Sequence, residues 1–584
     1  MKHGLHLAGW TLLMGMAPAL AQAPSTDGLQ QALATRFEGD RTGVCVQAAV
    51  VEGGRVLRGA HCAGTRPAGA AAARPAPPAP PADASFEIGS VTKTMLALLV
   101  ADLVQAGRWT LDDPIARHLP AGTVVPSQPG REILVRDLLT HRSGLPPLPP
   151  RWQPAQPANP YEGLTPARLL SALGEVRLAQ PIGSRFEYSN FGAMLLSLAV
   201  ARAHGSDSLE PLLRSKLWAP LGMQGAQLNR LQPTPPAASG HLPGGLSTSP
   251  WTAHPQLAGV GMVRATLDDL VRYVQAQLAA AAMPSAATSN APAASVAGKP
   301  SSPAPSSTPA PSLQAALHLT QQPLAPGFGM AWSIAQPAGR TVVFHEGGTG
   351  GFSSLVAFEP ATQRAVVVLA DTTLTDQGGL GDIGLHLLGV PGPALAPRRA
   401  VPLPATLREA MAGDYLLAGL PMRLWAQGEV LMAQAQGQSA FELKLDSRGD
   451  FYPADTVGVA ARLVPLREGE RITGFRWHQG GGALVAERAG ARPALTAQNP
   501  AWQDWAGEYT LAPQFALRVF EREGQLMLQG SGQPALAGEP TGPDRVEVKA
   551  VGAVFEFTRD ATGRVTALTL RQGGQIITGP KRQP

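Results

Sequence analysis

Basic clusters, long apolar segments and cysteines are all scarce in this chain of 584 residues. Its 47 lysines and arginines outnumber the 42 acidic residues only slightly, for a net charge of +5. They are scattered, without the run of five or six basic side chains that binds a row of phosphates, so we expect no nucleic-acid partner. Beyond the first 21 residues, no segment is long and apolar enough to cross a bilayer.

The first residues have the pattern of an export signal. Lys2 precedes an apolar stretch over residues 5–19, and Ala19-Leu20-Ala21 matches a signal-peptidase site. We expect cleavage after Ala21 and a mature protein that is periplasmic or secreted, with no stable membrane span. A membrane-anchoring helix is the alternative, and it is disfavoured because about 15 apolar residues are few for a span.

The two cysteines flank a predicted hairpin. Gly53-Gly54 suits a two-residue turn, and pairing Glu52 with Arg55 places Cys45 opposite Cys62 at a non-hydrogen-bonded position. Cα atoms at such a position lie about 4.5 Å apart, a separation that fits a disulfide. The sequence thus predicts a Cys45–Cys62 disulfide, which suits an oxidising compartment. Two reduced, buried cysteines are the alternative.

Two low-complexity stretches interrupt the folded pattern. Residues 67–81, rich in Ala and Pro, predict a polyproline-like surface excursion. Residues 283–311, rich in Ala, Pro and Ser, predict a disordered loop inserted within a domain, because structured sequence resumes at Gly327. An interdomain linker is the alternative for the second stretch.

Around these stretches the pattern predicts helices and then strands. Apolar residues recur at helical spacing in three segments, 92–106, 191–203 and part of 257–278, the last with Thr266 as its N-cap. Strand signals follow at 342–344, 352–358 and 365–369. Helices followed by a terminal antiparallel sheet predict an α/β fold.

The last third of the chain repeats itself. Beyond about Pro404 it consists of short strands and glycine turns, and Gly413-Asp414-Tyr415 is matched 94 residues later by Gly507-Glu508-Tyr509. We predict two small all-β, barrel-like or sandwich modules, with one longer β domain as the alternative. The expected organisation is a signal peptide at 1–21, a domain over 22–400, and modules over 401–498 and 499–584.

The segment that runs from Phe86 to Lys93 holds a candidate nucleophile. Ser90 and Lys93 stand three apart at the start of a predicted helix, so their side chains share one face. A partly buried lysine with a lowered pKa can take the serine proton. The helix N-terminus also presents N–H groups to the oxyanion of an acyl transfer. Ser-x-x-Lys alone is a weak signal, since chance matches are common.

Two further segments add to this signal. Tyr188 and Asn190 precede another predicted helix, and a predicted strand ends in His345-Glu346-Gly347-Gly348. With these segments in this order, the chain resembles the superfamily of class C β-lactamases, D-alanyl-D-alanine carboxypeptidases and esterases, whose Ser-x-x-Lys signature is a known catalytic motif. The resemblance spans about residues 28–388, and the C-terminal modules resemble the lipocalin-like appendages of some members.

The resemblance implies a β-lactamase/transpeptidase-like fold, in which helices flank an antiparallel sheet and an all-helical subdomain is added. It also implies that Ser90 attacks a carbonyl and that Lys93 receives its proton. Tyr188 would relay protons to the leaving group and the deacylating water, as a phenol partly ionised beside the lysine. No cofactor and no metal is required.

The remaining implied residues bind the substrate. Asn190 would hydrogen-bond the acyl side and orient Lys93. The backbone N–H groups of Ser90 and Gly348 would form an oxyanion hole, at a strand end where His345 and Gly347 also meet the substrate.

Two residues that differ from the pattern of many relatives bear on the choice of substrate. His345 stands where many relatives have lysine, and Glu346 where many have a threonine that helps to bind a substrate carboxylate. An ionised Glu346 in the cleft would repel a carboxylate, although strand alternation can turn it away. Esters, amides and D-amino-acid derivatives are therefore favoured over β-lactams and free-C-terminal peptides. His141 lies in a scaffold-like segment and is interpreted as structural.

The leading interpretation is an exported serine hydrolase. It would act through a Ser90 acyl-enzyme on an amide or ester bond of a small-molecule or peptide substrate: a β-lactam, a D-amino-acid peptide, a carboxylic ester or cell-wall material. The alternative from another class is a catalytically silent, penicillin-binding-like or cell-wall-binding scaffold. The complete set of catalytic residue types favours the enzyme, because lost activity usually leaves a motif broken.

Overall fold

The computed structural model describes residues 25–64, 79–283, 311–489 and 500–582, except residues 155, 157, 179, 418, 455–456, 481, 513–514, 523–524, 531–534, 549–550, 561 and 573–574. The predicted signal peptide and most of both low-complexity stretches lie outside the described residues. Within the described ranges, no helix combines the length and apolar character that a bilayer span requires.

The first region, up to about residue 390, contains most of the helices. They are α1 (Thr26–Phe37), α2 (Thr92–Gln105), α3 (Val135–Leu139), α4 (Pro166–Glu175), α5 (Asn190–Ala203), α6 (Glu210–Leu213), α7 (Ala219–Leu221), α8 (Leu267–Ala281), α9 (Pro311–Gln321) and α10 (Gly381–Leu387). The strands are β1 (Cys45–Glu52), β2 (Arg55–Cys62), β3 (Ser85–Glu87), β4 (Gln227–Leu228), β5 (Val263–Thr266), β6 (Ser333–Ala335), β7 (Val342–Gly348), β8 (Ser353–Glu359) and β9 (Arg364–Ala370).

A six-stranded antiparallel sheet, in the order β2-β1-β9-β8-β7-β6, forms the centre of this region. Alternate residues of β1 enter two different cores. Ala49 and Val51 join the core that contains α2, α5 and α8, whereas Val46, Ala48 and Val50 join the core under α1 and α10. Because both faces are covered, β1 is a nearly continuous apolar run. The predicted α/β fold with a helix-flanked antiparallel sheet is confirmed.

The predicted helices and strands are also confirmed, with small shifts of their ends. The helix predicted to begin after Thr266 is α8, and the Thr266 side chain accepts a hydrogen bond from the N–H of Asp269 in a capping box. The three predicted strands are β7, β8 and β9.

The disulfide hairpin has the predicted register. Glu52 pairs with Arg55 next to the turn, and Cys45 pairs with Cys62 at the far end. The two cysteines form a disulfide with their Cα atoms 4.0 Å apart. The turn type and the length of two strands were thus sufficient to place this cross-link.

The second region is an eight-stranded antiparallel barrel, which we call barrel 1. A short strand β10 (Ala400–Val401) and helix α11 (Ala405–Met411) lead into it. Its strands are β11 (Gly413–Leu417), β12 (Leu420–Gln427), β13 (Val430–Ala435), β14 (Phe441–Asp446), β15 (Phe451–Pro453), β16 (Ala461–Glu468), β17 (Arg471–Gln479) and β18 (Gly482–Arg488). Each strand pairs with the next, and β18 pairs with β11, which closes the barrel. The interior is a packed hydrophobic core.

The third region is also antiparallel and also follows a short helix, but its strands form two sheets. After helix α12 (Pro500–Trp505), one sheet contains β19 (Gly507–Ala512), β20 (Phe515–Arg522), β21 (Gln525–Gly530) and β22 (Leu536–Ala537). The other contains β23 (Glu539–Gly542), β24 (Arg545–Val548), β25 (Ala553–Arg559), β26 (Val565–Gln572) and β27 (Gln575–Pro580). The likeness of either module to lipocalins stays a prediction.

The predicted repeat has a structural basis in its tyrosines. Tyr415 donates a hydrogen bond to the Met411 carbonyl at 2.7 Å, and Tyr509 donates one to the Trp505 carbonyl at 2.7 Å. In each module the tyrosine thus caps the end of the preceding short helix. A basic side chain also lies over each ring, so the two modules share one local construction.

Buried ion pairs, which we call the seam, join barrel 1 to the first region. Arg398 donates to both Asp446 and Asp450 at 2.8 Å, and Arg41 donates to Asp446 at 3.4 Å while its guanidinium lies over the Tyr452 ring. Both arginines are almost fully buried. Barrel 1 is therefore packed against the first region through paired charges.

Candidate active site

Ser90 lies in a single 3-10 turn, Gly89–Val91, between β3 and α2. Gly89 adopts a φ of +49°, and a Cβ added there would lie 2.6 Å from the backbone nitrogen of Gly348. Only glycine fits such a close approach with a positive φ. The turn therefore holds Ser90 directly beside the end of β7.

Lys93 is buried against the Ser90 hydroxyl. Its Nζ lies 2.9 Å from Ser90 Oγ and 2.5 Å from the carbonyl oxygen of Val260, and the residue is 3% exposed. Burial lowers the Lys93 pKa to about 7, because the ammonium loses its hydration. A large fraction of Lys93 is therefore neutral at pH 7 and able to accept a proton.

Tyr188 contacts the same serine oxygen. Its hydroxyl donates to Ser90 Oγ at 2.7 Å, and its ring centroid lies 5.1 Å from Lys93 Nζ. Burial raises the Tyr188 pKa to about 12, so the phenol is protonated at neutral pH. The expectation of a partly ionised phenol is therefore wrong. Of the two groups beside Ser90, Lys93 is the one that loses its proton near neutrality.

His141, interpreted from sequence as structural, packs against Tyr188. The two ring centroids are 4.3 Å apart, and His141 Nδ1 accepts a hydrogen bond from the Ser189 N–H at 3.1 Å. Burial and the nearby Lys93 charge lower the His141 pKa to about 3, so the imidazole is neutral. Sequence reasoning missed this contact, although a lone histidine before Ser143-Gly144 was a usable signal.

Strand alternation separates His345 from Glu346. His345 is 7% exposed, and burial together with the Lys93 charge lowers its pKa to about 4. Glu346 points away from this side: it accepts a hydrogen bond from the Leu380 N–H, and its Oε1 would lie 3.3 Å from a Cβ added at Gly379. The repulsion expected from an acidic group in the cleft therefore does not arise from Glu346.

The glycines at the end of β7 are required by close packing. A Cβ added at Gly347 would collide with the Ile88 carbonyl, and one added at Gly348 would collide with the Thr375 hydroxyl. Ser354 of the next strand also donates to the Ile88 carbonyl at 2.8 Å. These contacts bring the backbone of Gly348 and the Ser90 turn together.

Asn190 does not orient Lys93 in the way expected. Asn190 is the first residue of α5, and within the described residues no hydrogen bond joins it to Lys93. The Val260 carbonyl takes that place, because the Gly259-Val260-Gly261 turn packs against α2 and α5. The predicted role of Asn190 in substrate binding stays a prediction.

Glu87 is a second residue that sequence reasoning missed. It is 2% exposed and lies three residues before Ser90. Its carboxylate accepts hydrogen bonds from Asn229 Nδ2 at 2.7 Å and from the Trp251 N–H at 3.3 Å. Burial raises its pKa. Glu87 therefore ties the nucleophile segment to the loop that contains Trp251, and only its position between Phe86 and Ile88 hinted at a buried carboxylate.

A comparison with protein families identifies the fold. Residues 30–390, more than half of the chain, match the family model described as Beta-lactamase. The chain belongs to the beta-lactamase family. Ser90, Lys93, Tyr188 and His345 all lie within the part that matches the family, whereas both β modules lie outside it.

Relatives of this beta-lactamase family member include a D-alanyl-D-alanine-carboxypeptidase/endopeptidase and a penicillin-binding protein. It is 30% identical over 198 residues to D-alanyl-D-alanine-carboxypeptidase/endopeptidase AmpH of Escherichia coli (strain K12). The aligned residues cover 34% of this chain and 49% of AmpH. It is 28% identical over 302 residues to Penicillin-binding protein 4 of Amycolatopsis lactamdurans, 50% of this chain and 72% of that protein. The match to AmpH thus spans about half of that relative.

One solved structure in the comparison is the Beta-lactamase/D-alanine Carboxypeptidase from Yersinia pestis complexed with citrate. It is 22% identical, covers 59% of this chain and 92% of its own, and has a TM-score of 0.44.

Proposed function

We propose that the protein is an exported serine hydrolase that cleaves an amide or ester bond through an acyl-enzyme on Ser90. One observation carries the proposal: Lys93 Nζ and Tyr188 OH converge on Ser90 Oγ at 2.9 and 2.7 Å. A hydroxyl between a base with a pKa of about 7 and a protonated phenol suits a nucleophile that must lose a proton and then return one to a leaving group.

Acylation follows from these protonation states. Neutral Lys93 accepts the Ser90 proton as Oγ attacks the substrate carbonyl. The N–H groups of Ser90 and Gly348 stabilise the resulting oxyanion. As the tetrahedral species collapses, the Tyr188 hydroxyl gives its proton to the leaving group, and the proton held by Lys93 restores the phenol.

Deacylation uses the same groups in reverse. A water molecule gives a proton to neutral Lys93 and attacks the acyl-Ser90 carbonyl, and Ser90 Oγ recovers a proton as it leaves. The substrate is a small molecule or peptide, and the name of the relative D-alanyl-D-alanine-carboxypeptidase/endopeptidase AmpH favours a D-amino-acid peptide. The Cys45–Cys62 disulfide supports export, because cytosolic thiols are kept reduced.

The test is covalent labelling of purified mature protein. Intact-mass spectrometry with a fluorophosphonate, a p-nitrophenyl ester and nitrocefin should show an adduct on the wild type and none on Ser90→Ala. Turnover of the ester should fall about 1,000-fold or more in that variant. Ser215→Ala removes an exposed hydroxyl on the surface and should keep both labelling and turnover. A wild type that stays unmodified by every probe would support the silent scaffold instead.

A further inference from the structure

We propose that Glu87 is a positioning residue for the oxyanion hole and that Arg264 supplies its countercharge. Through Glu87, the turn that carries Ser90 and the turn that follows Gly348 are held in one frame, so that the two backbone N–H groups point at the same oxygen. The inference rests on the proposed serine hydrolase function and adds the residues that keep its oxyanion hole assembled.

Glu87 and Arg264 are opposite charges on neighbouring strands inside the protein. They are direct partners in the register of β3 and β5, and they are 2% and 1% exposed. Burial raises the pKa of Glu87 and lowers that of Arg264, and each charge offsets part of that shift in the other. Removing only one of two such buried charges leaves the other uncompensated, so the two residues depend on each other.

One side of the frame is the nucleophile segment. Glu87 is the last residue of β3, and two residues separate it from Ser90. The intervening Ile88 is fixed on both sides, since its N–H donates to the Val263 carbonyl at 3.0 Å and its carbonyl accepts from Ser354 at 2.8 Å. Because this connection is short and fixed, the position of Glu87 determines where the Ser90 N–H lies.

The other side of the frame is the turn between β7 and β8. Thr349 directly follows Gly348, and its buried hydroxyl lies beside the Glu87 carboxylate, with no other partner among the described residues. The N–H of Thr349 donates to the Phe352 carbonyl at 3.0 Å, which closes the turn. The Arg264 guanidinium lies over the Phe352 ring, 5.1 Å from its centroid. The two ends of the turn therefore contact the two buried charges.

The loop around Trp251 braces the middle of the same turn. Asn229 Nδ2 donates to Glu87 at 2.7 Å and to the Trp251 carbonyl at 2.6 Å, and the Trp251 N–H donates to the same Glu87 oxygen at 3.3 Å. The Trp251 indole packs so closely on the turn that a Cβ added at Gly350 would lie 2.6 Å from its Nε1. Glu87 thus holds the turn directly through Thr349 and indirectly through Trp251.

An oxyanion hole works only when its donors are already in place. Each N–H must lie about 2.7–3.1 Å from the developing oxyanion, and a misplacement of about 1 Å can cost about 100-fold in rate. The two donors belong to segments far apart in the sequence, and Glu87 continues into one segment and contacts the other. The geometry of the hole therefore depends on a carboxylate that is itself almost fully buried.

A split between kcat and KM in conservative variants tests this role. Glu87→Gln keeps the side-chain shape and one acceptor oxygen but leaves Arg264 without its countercharge. We expect kcat for a p-nitrophenyl ester to fall about tenfold or more, with KM changed by less than about threefold, because the oxyanion exists only after the substrate has bound. Thr349→Val removes only the hydroxyl and should give a smaller loss of the same kind.

A boronic acid reports on the hole without turnover. Its boron accepts Ser90 Oγ, the serine proton passes to Lys93, and the tetrahedral anion imitates the oxyanion. In both variants, the inhibition constant of phenylboronic acid should rise by about the same factor as kcat falls. Thr320→Val is the matched control: it removes a buried hydroxyl that donates to the Leu317 carbonyl within α9, and kcat, KM and boronate affinity should stay unchanged.

The outcomes separate this inference from the proposed function. Wild-type kcat and boronate affinity in Glu87→Gln and Thr349→Val would overturn the positioning role, even if the melting temperature falls. A raised KM with unchanged kcat would overturn it as well, because that pattern marks ground-state binding. If Glu87→Gln does not fold, Thr349→Val alone decides. No ester turnover and no label on Ser90 in the wild type would overturn the proposed function, and this inference with it.

Discussion

At the residue scale, the site depends on Lys93, which is buried next to Ser90 and has no acidic partner among the described residues. Spacing in the sequence was enough to place Lys93 on the same helix face as Ser90, whereas Tyr188 was assigned to the site by the family resemblance. It was not enough for Val260 or Glu87, which reach the site through backbone and long-range contacts that no local pattern encodes.

The first prediction is a pH dependence set by Lys93. Its lowered pKa of about 7 means that the neutral base is lost as pH falls below 7. We expect kcat/KM for a neutral ester to rise about tenfold per pH unit below pH 6 and to level off above pH 8. Measuring kcat/KM for the ester at a series of pH values checks this. Lys93→Arg, which cannot lose its proton, should lose at least about 100-fold at every pH, and a flat wild-type profile would contradict the assignment.

The second prediction concerns His141 as a positioning residue for Tyr188. His141→Phe keeps a ring beside the phenol but removes the acceptor for the Ser189 N–H. We expect kcat to fall about tenfold with little change in KM, because the phenol acts in the transition state. His141→Asn restores an acceptor and tolerates the φ of +54°, so it should recover part of that loss. A lower melting temperature with unchanged kcat would show a purely structural role.

The third prediction is a stability effect at Asp371. Burial raises the Asp371 pKa to about 7, so the folded protein binds a proton that the unfolded chain releases near pH 4. The group therefore destabilises the fold increasingly as pH rises from 4 towards 7, and this cost is fully present above 7. Asp371→Asn should raise the melting temperature by about 2 °C or more at pH 8, and by less at pH 5. An equal rise in melting temperature at pH 5 and pH 8 would show that titration of Asp371 does not cause it.

At the element scale, short elements were predictable wherever the signal was local. The Gly53-Gly54 turn determined the register of β1 and β2, and Thr266 with Asp269 determined the start of α8. The order of the strands was not predictable. β1 also pairs with β9, and the two are separated by helices and by a long low-complexity stretch, so only tertiary packing brings them together.

The fourth prediction tests the cross-link of the β1–β2 hairpin. Cys45 and Cys62 are 17 positions apart in the sequence, and their disulfide closes the loop between them. Replacing both with Ser opens this loop and should lower the free energy of unfolding by about 2–3 kcal/mol. Urea denaturation with and without reductant measures this. Reductant should shift the wild type to the stability of the double variant and leave the variant unchanged, whereas no shift would mean that the cysteines are already reduced.

At the scale of the whole molecule, the period of the repeat predicted two β modules but not how the first one docks. The charges of the seam lie far apart in sequence, and an isolated Arg398 or Asp450 looks like any solvated residue. Their burial follows from packing of barrel 1 onto the first region, which also lets Arg462 donate to the Asp376 carbonyl at 3.0 Å.

The fifth prediction removes one side of the seam. Arg398→Met leaves Asp446 and Asp450 buried with less compensation, and losing a buried partner typically costs about 3–5 kcal/mol. We expect a lower melting temperature and faster proteolytic cleavage between the first region and barrel 1. Arg423→Met, on an exposed pair of the same barrel, is the control and should change stability little. If the two variants had equal melting temperatures and equal rates of cleavage, the buried ion pairs of the seam would contribute no more to stability than an exposed pair.

The two β modules use a carboxylate at corresponding positions in different ways. Asp450 precedes β15, and Asp544, 94 residues later, precedes β24. The first carboxylate pairs with Arg398 outside the barrel and with Arg462 of β16, and the second pairs with Arg559 of its own module. The pairing of β18 with β11 closes barrel 1, so this barrel leaves no open strand edge for the first region to cover. Asp450 therefore serves both the attachment of barrel 1 and its internal cohesion, whereas these pairs of Asp544 lie within its own module.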